Sequence, residues 1–595
     1  MLSQDKWQRA GFKRRSGVLV PLFSIYSSQS LGIGDFDDLK ILVDWANNTG
    51  NSILQLLPMN ELGPVRCPYD SISSFALEPA YISLRSLSGI NQVIKEKIEI
   101  ARKIFPVGLG HVDYRIKEAK VNILREIYLN ADLEDKEFKK FSEDNSYWLD
   151  DFALFVVLKM RSNGSAWFGW EDKYKNRFQS ALHEFSCENH EEIIFRKWLQ
   201  WLIAKQFGEA KKYANSKKVL LKGDLPILVS RDSADVWVNP QFFKLDFAAG
   251  APPDMYCAKG QRWGMPTYDW EKIAEDEHRY LKEKLKYARE FYDILRVDHV
   301  VGLFRIWSIP YNDPLENQGL NGFFDPRDEH RWGEHGWSIL SAMLNNTDML
   351  LCAEDLGIIP RVCTDALKEL GIPGNDVQRW VKDWNVRHDF LGPQEYREFS
   401  VAMLSTHDTT NWPAWWENEA GTVDEALFMR KCNERAIDFL KVSPELFDVA
   451  LSCHGRLRWR DNIDSVEKLV AILGKKKEEL ADFIELYLNS YQEKEKLWQH
   501  FGFAGPLREK CDSGITYQAI KIVLDSKAIF SINNIIDWLY LSDIFKNDSY
   551  SYRINVPGTV NSSNWSLTLP ISLEDLLQHK INPEIRKMII SSGRS

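Results

Sequence analysis

The chain has 595 residues, of which 44% are hydrophobic and 27% charged, as expected for a globular protein of one very large domain or about two to four ordinary ones. Its formal net charge of −10 argues against nucleic acid as the main partner, because a surface of this sign repels phosphate. The 22 tryptophans slightly favour a carbohydrate ligand, since indole rings can stack on the apolar faces of sugars.

Targeting signals are not apparent in the sequence. The N-terminus, MLSQDKWQRAGFKRR, has no apolar run typical of a signal peptide, and no window approaches about eighteen uncharged apolar residues. The eight cysteines are scattered without a CxxC pair, which is typical of reduced thiols. We therefore predict a cytoplasmic protein without a membrane span.

The first elements predict a strand–helix–strand unit. Residues 17–23, GVLVPLF, predict a strand, and residues 37–47, DDLKILVDWAN, have helical spacing with an acidic first turn. Residues 52–59, SILQLLPM, predict a second buried strand, followed by a long loop. This order is typical of the βαβ unit of an α/β barrel or a doubly wound sheet.

The pattern changes after the second strand. Residues 86–210 contain charged amphipathic helices without intervening strands, which predicts a helical insertion. Strand character returns at residues 218–229, KVLLKGDLPILV. Residues 250–270 are too rich in Gly and Pro for regular structure, and a loop of this length inside a compact domain is usually functional.

The most informative stretch is residues 291–310, FYDILRVDHVVGLFRIWSIP. Its apolar run predicts a strand buried on both faces, and it places Arg296, Asp298 and His299 at the strand end. Barrel enzymes carry their catalytic groups at the carboxyl ends of such strands. In isolation, the same triplet would fit a salt-bridged strand end equally well.

The second half of the chain repeats the strand–helix pattern. Residues 420–500 again predict helices, with a charged run at 474–479 that fits a solvated helix face. The total is about eight strands, which predicts a (β/α)8 TIM barrel with two large helical insertions. The later strands are predicted at 349–356, 376–380, 398–404 and 551–556.

Three carboxylates follow apolar runs of this pattern. Asp298, Glu354 and Asp408 are predicted on strands four, five and seven, whose ends meet at one barrel mouth. Three acids without a metal cluster suit glycosidic bond chemistry, with a nucleophile, an acid and a group that stabilises the oxocarbenium-like charge. We expect Arg296, on the same strand face as Asp298, to keep that carboxyl ionised. Glu354 beside Asp355 could be the protonated acid.

Seven segments, in order along most of the chain, resemble the amylomaltase family of 4-α-glucanotransferases, also called disproportionating enzymes. They are GVLVPLFSIYSSQSLGIGDF, GDLPILVSRDSADVW, GAPPDMYCAKGQRWG, RVDHVVGLFRIWSIP, AEDLG, STHD and NVPGTVNSSNW. The resemblance implies a (β/α)8 barrel without a C-terminal β-domain. It also implies retaining double displacement on α-1,4-glucans through a covalent glycosyl-enzyme. We expect no obligatory cofactor and no metal.

The resemblance also implies residue roles. Asp298 in RVDH matches the nucleophile, Glu354 in AEDLG the acid/base, and Asp408 in THD the transition-state stabiliser. The residues that match positions holding the sugar or lining the cleft are Arg296, His299, His407, Asp224, Asp254 and Trp263. Trp263 in its Gly-rich loop and Tyr69 in the loop after the second strand are candidate sugar platforms.

The chain departs from the shorter bacterial members of the family. It has CPYDSISSFALEP at residues 67–79, and Thr409 stands where those members carry Asn. The segments SSFALEP and GLFRIWSIP resemble those of the branch that includes the plant cytosolic disproportionating enzyme. The N-terminal starch-binding modules of that branch are not expected here, because the barrel begins near residue 17. Acceptor preference and the use of long glucans stay open.

Two other functions remain open at this point. The same three acids would serve an α-1,4-glucan hydrolase, and a catalytically inactive glucan-binding protein is a further alternative.

His330, Glu334 and His335 match no strong metal-ligand motif and are predicted to lie in a surface loop. We therefore predict one catalytic barrel over residues 1–595, a 4-α-glucanotransferase acting on maltooligosaccharides and glucans, without nucleic-acid or membrane partners.

Overall fold

The computed structural model describes residues 2–253 and 257–594. Its central element is an eight-stranded sheet in which every pair of hydrogen-bonded strands is parallel. The strands are β1 Arg15–Leu19, β2 Ile53–Gln55, β3 Leu220–Leu225, β4 Ile294–Val297, β5 Leu350–Ala353, β6 Gly374–Val377, β7 Ser400–Met403 and β8 Phe530–Asn534.

The strand order shows that the sheet is a barrel. Neighbours follow one another as β5-β4-β3-β2-β1-β8-β7-β6, so only β5 and β6 are left to meet. The amide N–H of Ala353 in β5 donates to the carbonyl of Pro373, the residue before β6, at 2.8 Å. The predicted (β/α)8 barrel is therefore confirmed, and a doubly wound sheet is excluded.

Helices cover the outside of the barrel: Gln4–Ala10 precedes β1, and the helix after β1 shows why the sequence folds as predicted. Phe36–Thr49 begins at Asp35, whose carboxylate accepts from the amides of Asp37 and Asp38, and ends at Gly50 in the left-handed conformation. Further helices between barrel strands or after β8 include His190–Ser216, Ala234–Val238, Trp270–Glu275, Arg279–Ala288, Trp332–Asn345, Arg361–Leu370, Ser513–Asp525, Ile535–Leu539, Leu573–Leu577 and Asn582–Ser591.

The segment between β2 and β3 contains the first predicted insertion. Its helices are Gln92–Ile104, Ile116–Tyr128, Lys136–Asp144, Ser146–Arg161, Asp172–Lys175 and Gln179–Glu188, before His190–Ser216 returns the chain to the barrel. Their buried residues join the apolar core of the barrel, so this segment packs as part of the main body.

The segment between β7 and β8 differs from the prediction of helices alone. Its helices are Trp412–Asn418, Glu425–Glu434, Phe439–Leu446, Val466–Leu473, Ala481–Ser490 and Glu493–His500. It also contains a three-stranded antiparallel sheet of Thr422–Asp424, Phe447–Cys453 and Arg456–Trp459. The sheet was missed because most of Phe447–Cys453 is solvent-exposed and lacks the alternation of a half-buried strand. A second, smaller apolar core stabilises this segment.

Two further predictions were wrong. The last strand is not 551–556 but Phe530–Asn534, FSINN, whose polar side chains are buried with hydrogen bonds: Asn533 accepts from the Leu404 amide, and Asn534 caps the helix Ile535–Leu539. Residues 250–270 are not wholly irregular. The strand Phe247–Ala251 extends into them and pairs with Ile306–Pro310 and Gln261–Arg262 in a four-stranded sheet beside the barrel.

Arg594 closes the barrel at its amino-terminal end. Its side chain is fully buried and donates to the carbonyls of Leu524, Ser526 and Ala528, at 2.5, 2.9 and 2.7 Å. We expect Arg594→Ala to lower the free energy of unfolding by about 2–4 kcal/mol, because these carbonyls lose a buried cationic donor. Urea unfolding measures the change.

Arg586→Ala is the matched control, since this exposed guanidinium also donates to carbonyls, at the end of helix Phe36–Thr49. We expect a change within about 0.5 kcal/mol there. Equal effects of the two substitutions would contradict the role given to Arg594.

No helix in residues 2–253 and 257–594 is long and apolar enough to cross a lipid bilayer.

Candidate active site

The three carboxylates lie where the sequence predicted them. Asp298 directly follows β4, Glu354 directly follows β5, and Asp408 lies five residues after the end of β7. Because the carboxyl ends of parallel barrel strands surround one mouth, the three side chains belong to one site. Their placement on strands four, five and seven is confirmed.

A buried arginine links two acids at the floor of the site. Arg296 donates from Nη1 to both carboxylate oxygens of Asp224, at 2.6 and 2.7 Å, and to Oδ1 of Asp298 at 2.9 Å. Asp224 and Arg296 are direct register partners on β3 and β4, so the strand pairing sets this contact. The hydroxyl of Tyr69 also donates to Asp224, at its Oδ2, at 2.8 Å.

The pKa of Asp298 results from opposing effects of burial and of neighbouring charges. Burial raises the pKa of Asp298 to about 6, and the Arg296 guanidinium works against this rise while the nearby Asp224 carboxylate adds to it. The predicted Arg296 contact is present, but it does not outweigh burial. Asp298 is therefore mainly ionised only above about pH 6.

Glu354 has the character of a proton donor. Its Oε2 accepts from the backbone amide of His299 at 2.7 Å, and its Oε1 accepts from that of Leu356 at 3.0 Å. Burial raises the pKa of Glu354 to about 7, with Arg296 opposing and the Asp298 carboxylate adding to the rise. A carboxyl that is half protonated near neutral pH suits general acid and base work.

Asp355 is not the neighbour that produces this shift. Its Oδ2 accepts from Nη1 of Arg397 at 2.6 Å, and its Oδ1 accepts from the amide of Asn375 at 2.6 Å. Burial and Asp298, rather than Asp355, therefore account for the raised pKa of Glu354.

Asp408 is held in the ionised form. His407 Nε2 lies 3.3 Å from its Oδ2, and the side-chain amide of Asn555 donates to its Oδ1 at 2.7 Å. Burial would raise the pKa of Asp408, but His407 and Asn555 outweigh it and lower the pKa to about 2. Burial lowers and Asp408 raises the pKa of His407, and the net shift is upward. Sequence reasoning missed Asn555, although it begins the segment NVPGTVNSSNW.

Aromatic rings surround these acids. Tyr69 stacks on His407 with ring centroids 5.2 Å apart, and Trp565 lies 5.7 Å from Tyr69 and 5.8 Å from His407. Trp263 packs edge-on against His299 at 4.8 Å. The structure thus brings both candidate platforms, Tyr69 and Trp263, against residues of the site. Trp565 was missed, and its positive φ of 58° marks strained backbone beside the site.

The remaining sequence candidates have simple outcomes. Burial lowers the pKa of the His299 imidazole to about 4, so the ring is neutral and can bind a sugar hydroxyl. Asp254 lies outside the described residues. The surface loop predicted for His330, Glu334 and His335 was wrong, since the first lies in a short 3-10 helix and the other two in the helix Trp332–Asn345. Within residues 2–253 and 257–594 no cluster of metal-binding side chains occurs.

Comparisons with known proteins agree on one family. The family model described as 4-alpha-glucanotransferase matches residues 20–573. The 4-alpha-glucanotransferase of Chlamydia pneumoniae is 32% identical over 598 residues, covering 99% of this chain and 97% of that protein. The 4-alpha-glucanotransferase DPE2 of Oryza sativa is 30% identical over 560 residues, covering 69% of this chain and 59% of that protein.

Solved structures share the fold. The amylomaltase from Streptococcus agalactiae in complex with acarbose superposes with a TM-score of 0.72 at 22% identity, covering 98% of this chain and all of that one. The amylomaltase from Corynebacterium glutamicum gives a TM-score of 0.73 at 20% identity, covering 100% and 77%. The chain belongs to the 4-alpha-glucanotransferase family of glycosyl-transferring enzymes.

Proposed function

We propose that the enzyme moves α-1,4-glucan segments between maltooligosaccharides or glucans by a retaining double displacement. The observation that carries this proposal is the pairing of Asp298, held by Arg296, with Glu354, whose pKa of about 7 keeps a proton available. One carboxyl that ionises before its neighbour is the division of roles that this mechanism needs.

The steps follow from these roles. An Asp298 oxygen attacks the anomeric carbon, while Glu354 gives its proton to the glycosidic oxygen that leaves with the released sugar. The acceptor hydroxyl then gives its proton to Glu354, and its oxygen displaces Asp298 from the anomeric carbon. Asp408, ionised at every pH above about 2, stabilises the positive charge that develops in both transition states.

The other residues serve to hold the sugar. We assign Arg296, His299, His407 and Asp224 to the walls of the cleavage point, and Tyr69 and Trp263 to stacking or closing it against water. Asp254 is assigned by the family resemblance alone. Transfer is favoured over hydrolysis when an acceptor sugar excludes water from the glycosyl-enzyme.

The assignment extends to the whole chain. We propose that residues 1–595 form one catalytic unit, with insertions at about 86–210 and 420–500, and that it acts in the cytoplasm without a cofactor. None of the eight cysteines, all within the described residues, forms a disulfide, which supports a reducing compartment.

Incubation with maltotriose, with products resolved by size, tests the proposal. We expect glucose together with a ladder of maltooligosaccharides longer than the substrate. Glucose and maltose alone would favour the hydrolase. No product from maltotriose, or from glycogen with maltose as acceptor, would contradict both enzymes and leave a glucan-binding protein.

A further inference from the structure

The second insertion contacts the loop that carries Trp263. In its helix Glu425–Glu434, the guanidinium of Arg430 donates through Nη1 to the backbone carbonyl of Ala258. Ala258 lies five residues before Trp263, which packs on His299 in the active site. The middle of this helix therefore contacts the loop that forms a wall of the cleft.

The same insertion also contacts the loop beside Asp408. Its hairpin closes with a two-residue turn at His454 and Gly455, both with positive φ, as in a type I′ turn. The His454 ring lies flat on Tyr550, with centroids 3.7 Å apart and planes within 6°. Arg553 joins this pair to the site, since it donates to the Tyr550 hydroxyl and to the Asp408 carbonyl, each at 3.3 Å.

An open groove of about 300 Å³ on the same insertion is lined by the helix Glu425–Glu434 and by the hairpin turn. We name it the hairpin groove; its lining residues are Asp424, Glu425, Ala426, Met429, His454 and Gly455. The exposed carboxylate of Glu425 can accept hydrogen bonds from sugar hydroxyls, whereas half-buried Asp424 caps the helix by accepting from the Leu427 amide. Met429 and the His454 ring offer apolar surface to a pyranose face. Its volume is at the lower end for ligand sites.

We propose that the hairpin groove is a glucan subsite that binds the part of a long α-1,4-glucan extending beyond the cleavage point. The proposal rests on the 4-alpha-glucanotransferase activity and deepens it. A glucan that leaves the cleft between the Trp263 loop and the Asp408 loop reaches the surface where the insertion contacts both. Within the part of the chain that the structure describes, no hydrogen bond or ion pair joins a lining residue of the groove directly to Asp298, Glu354 or Asp408, so we expect the subsite to add binding energy without changing the chemistry.

Filling the groove tests this subsite. Ala426 is exposed, so Ala426→Trp occupies the groove without disturbing the small core of the insertion. We expect kcat/KM with glycogen as donor to fall about tenfold through a higher KM, because about 1.4 kcal/mol of binding is lost. With maltotriose, whose three glucose units we expect the cleavage cleft itself to hold, we expect a change below roughly twofold.

Leu440→Trp is the matched control, because Leu440 is 81% exposed in the same insertion and does not line the groove. It should leave both donors unaffected. Met429→Ala removes apolar lining without adding bulk and should raise the glycogen KM about threefold. Retardation of each variant in a glycogen-containing native gel reports binding without turnover.

An equal loss with both donors, or unchanged glycogen kinetics in both groove variants, would overturn the subsite. The same experiment measures whether the wild-type protein forms longer maltooligosaccharides from maltotriose. Its absence would count against the proposed function rather than against the groove.

Discussion

Asp298→Asn is expected to abolish the maltooligosaccharide ladder from maltotriose, with kcat/KM roughly 10⁴- to 10⁶-fold lower, as when other covalent nucleophiles are removed. An amide of the same shape can still accept from Arg296, so the pocket keeps its geometry. It cannot form the glycosyl ester, because the neutral oxygen is a poor nucleophile. Single-turnover assays with maltotriose and excess enzyme measure the loss.

Asp365→Asn provides the control for this substitution. Asp365 lies on helix Arg361–Leu370, and its carboxylate makes an exposed ion pair with Arg361 at 3.5 Å. Pairs of this kind contribute little to stability, so activity should stay within roughly twofold. A ladder that Asp298→Asn still forms at above about 1% of the wild-type rate would exclude Asp298 as the nucleophile.

Glu354→Gln is expected to lower kcat roughly 10²- to 10⁴-fold and to remove the alkaline limb of the pH profile. In the wild-type enzyme, activity should rise as Asp298 loses its proton, through its pKa of about 6. It should fall as Glu354 loses its proton, through its pKa of about 7. The profile of kcat/KM should therefore be bell-shaped, with its maximum between these two values.

A donor with a good leaving group separates this role from a structural one. Maltosyl fluoride needs no proton on its leaving group, so Glu354→Gln should form the glycosyl-enzyme from it far faster than from maltotriose. Fluoride release measured over a pH range would show the acid limb of Asp298 alone. An alkaline limb that persists in Glu354→Gln, or an equal loss with both donors, would exclude Glu354 as the acid/base.

The barrel could be predicted where its strands are apolar. β4 and β5 lie in runs rich in Leu, Ile and Val, and the sequence places both correctly. The strand β8, FSINN, was not predicted, because an apolar pattern does not reveal it. Its Asn533 and Asn534 are buried with hydrogen bonds to the backbone rather than by apolar packing. The apolar and β-branched residues of 551–556 then supplied a false eighth strand.

The site residues also divide into those that the sequence could predict and those that it could not. The three acids are predictable because each directly follows a strand or lies a few residues beyond it, so local sequence fixes their position at the mouth. Asn555 and Trp565 reach the site from a loop without periodicity, and only the tertiary fold brings them to Asp408 and Tyr69. The source of the raised Glu354 pKa also depends on three-dimensional neighbours rather than on the adjacent residue in the sequence.

The pairing of β1 with β8 has a consequence for how this chain can be made in a cell. In β1, Arg15 pairs with Phe530 of β8. Because β1 is synthesised first, about 500 further residues must be made before β8, its second neighbour in the sheet, exists. Until then one edge of β1 offers unpaired backbone groups to other chains. We therefore expect the nascent chain to be prone to wrong pairing at this edge, and catalytic competence to arise only after Phe530–Asn534 has been synthesised.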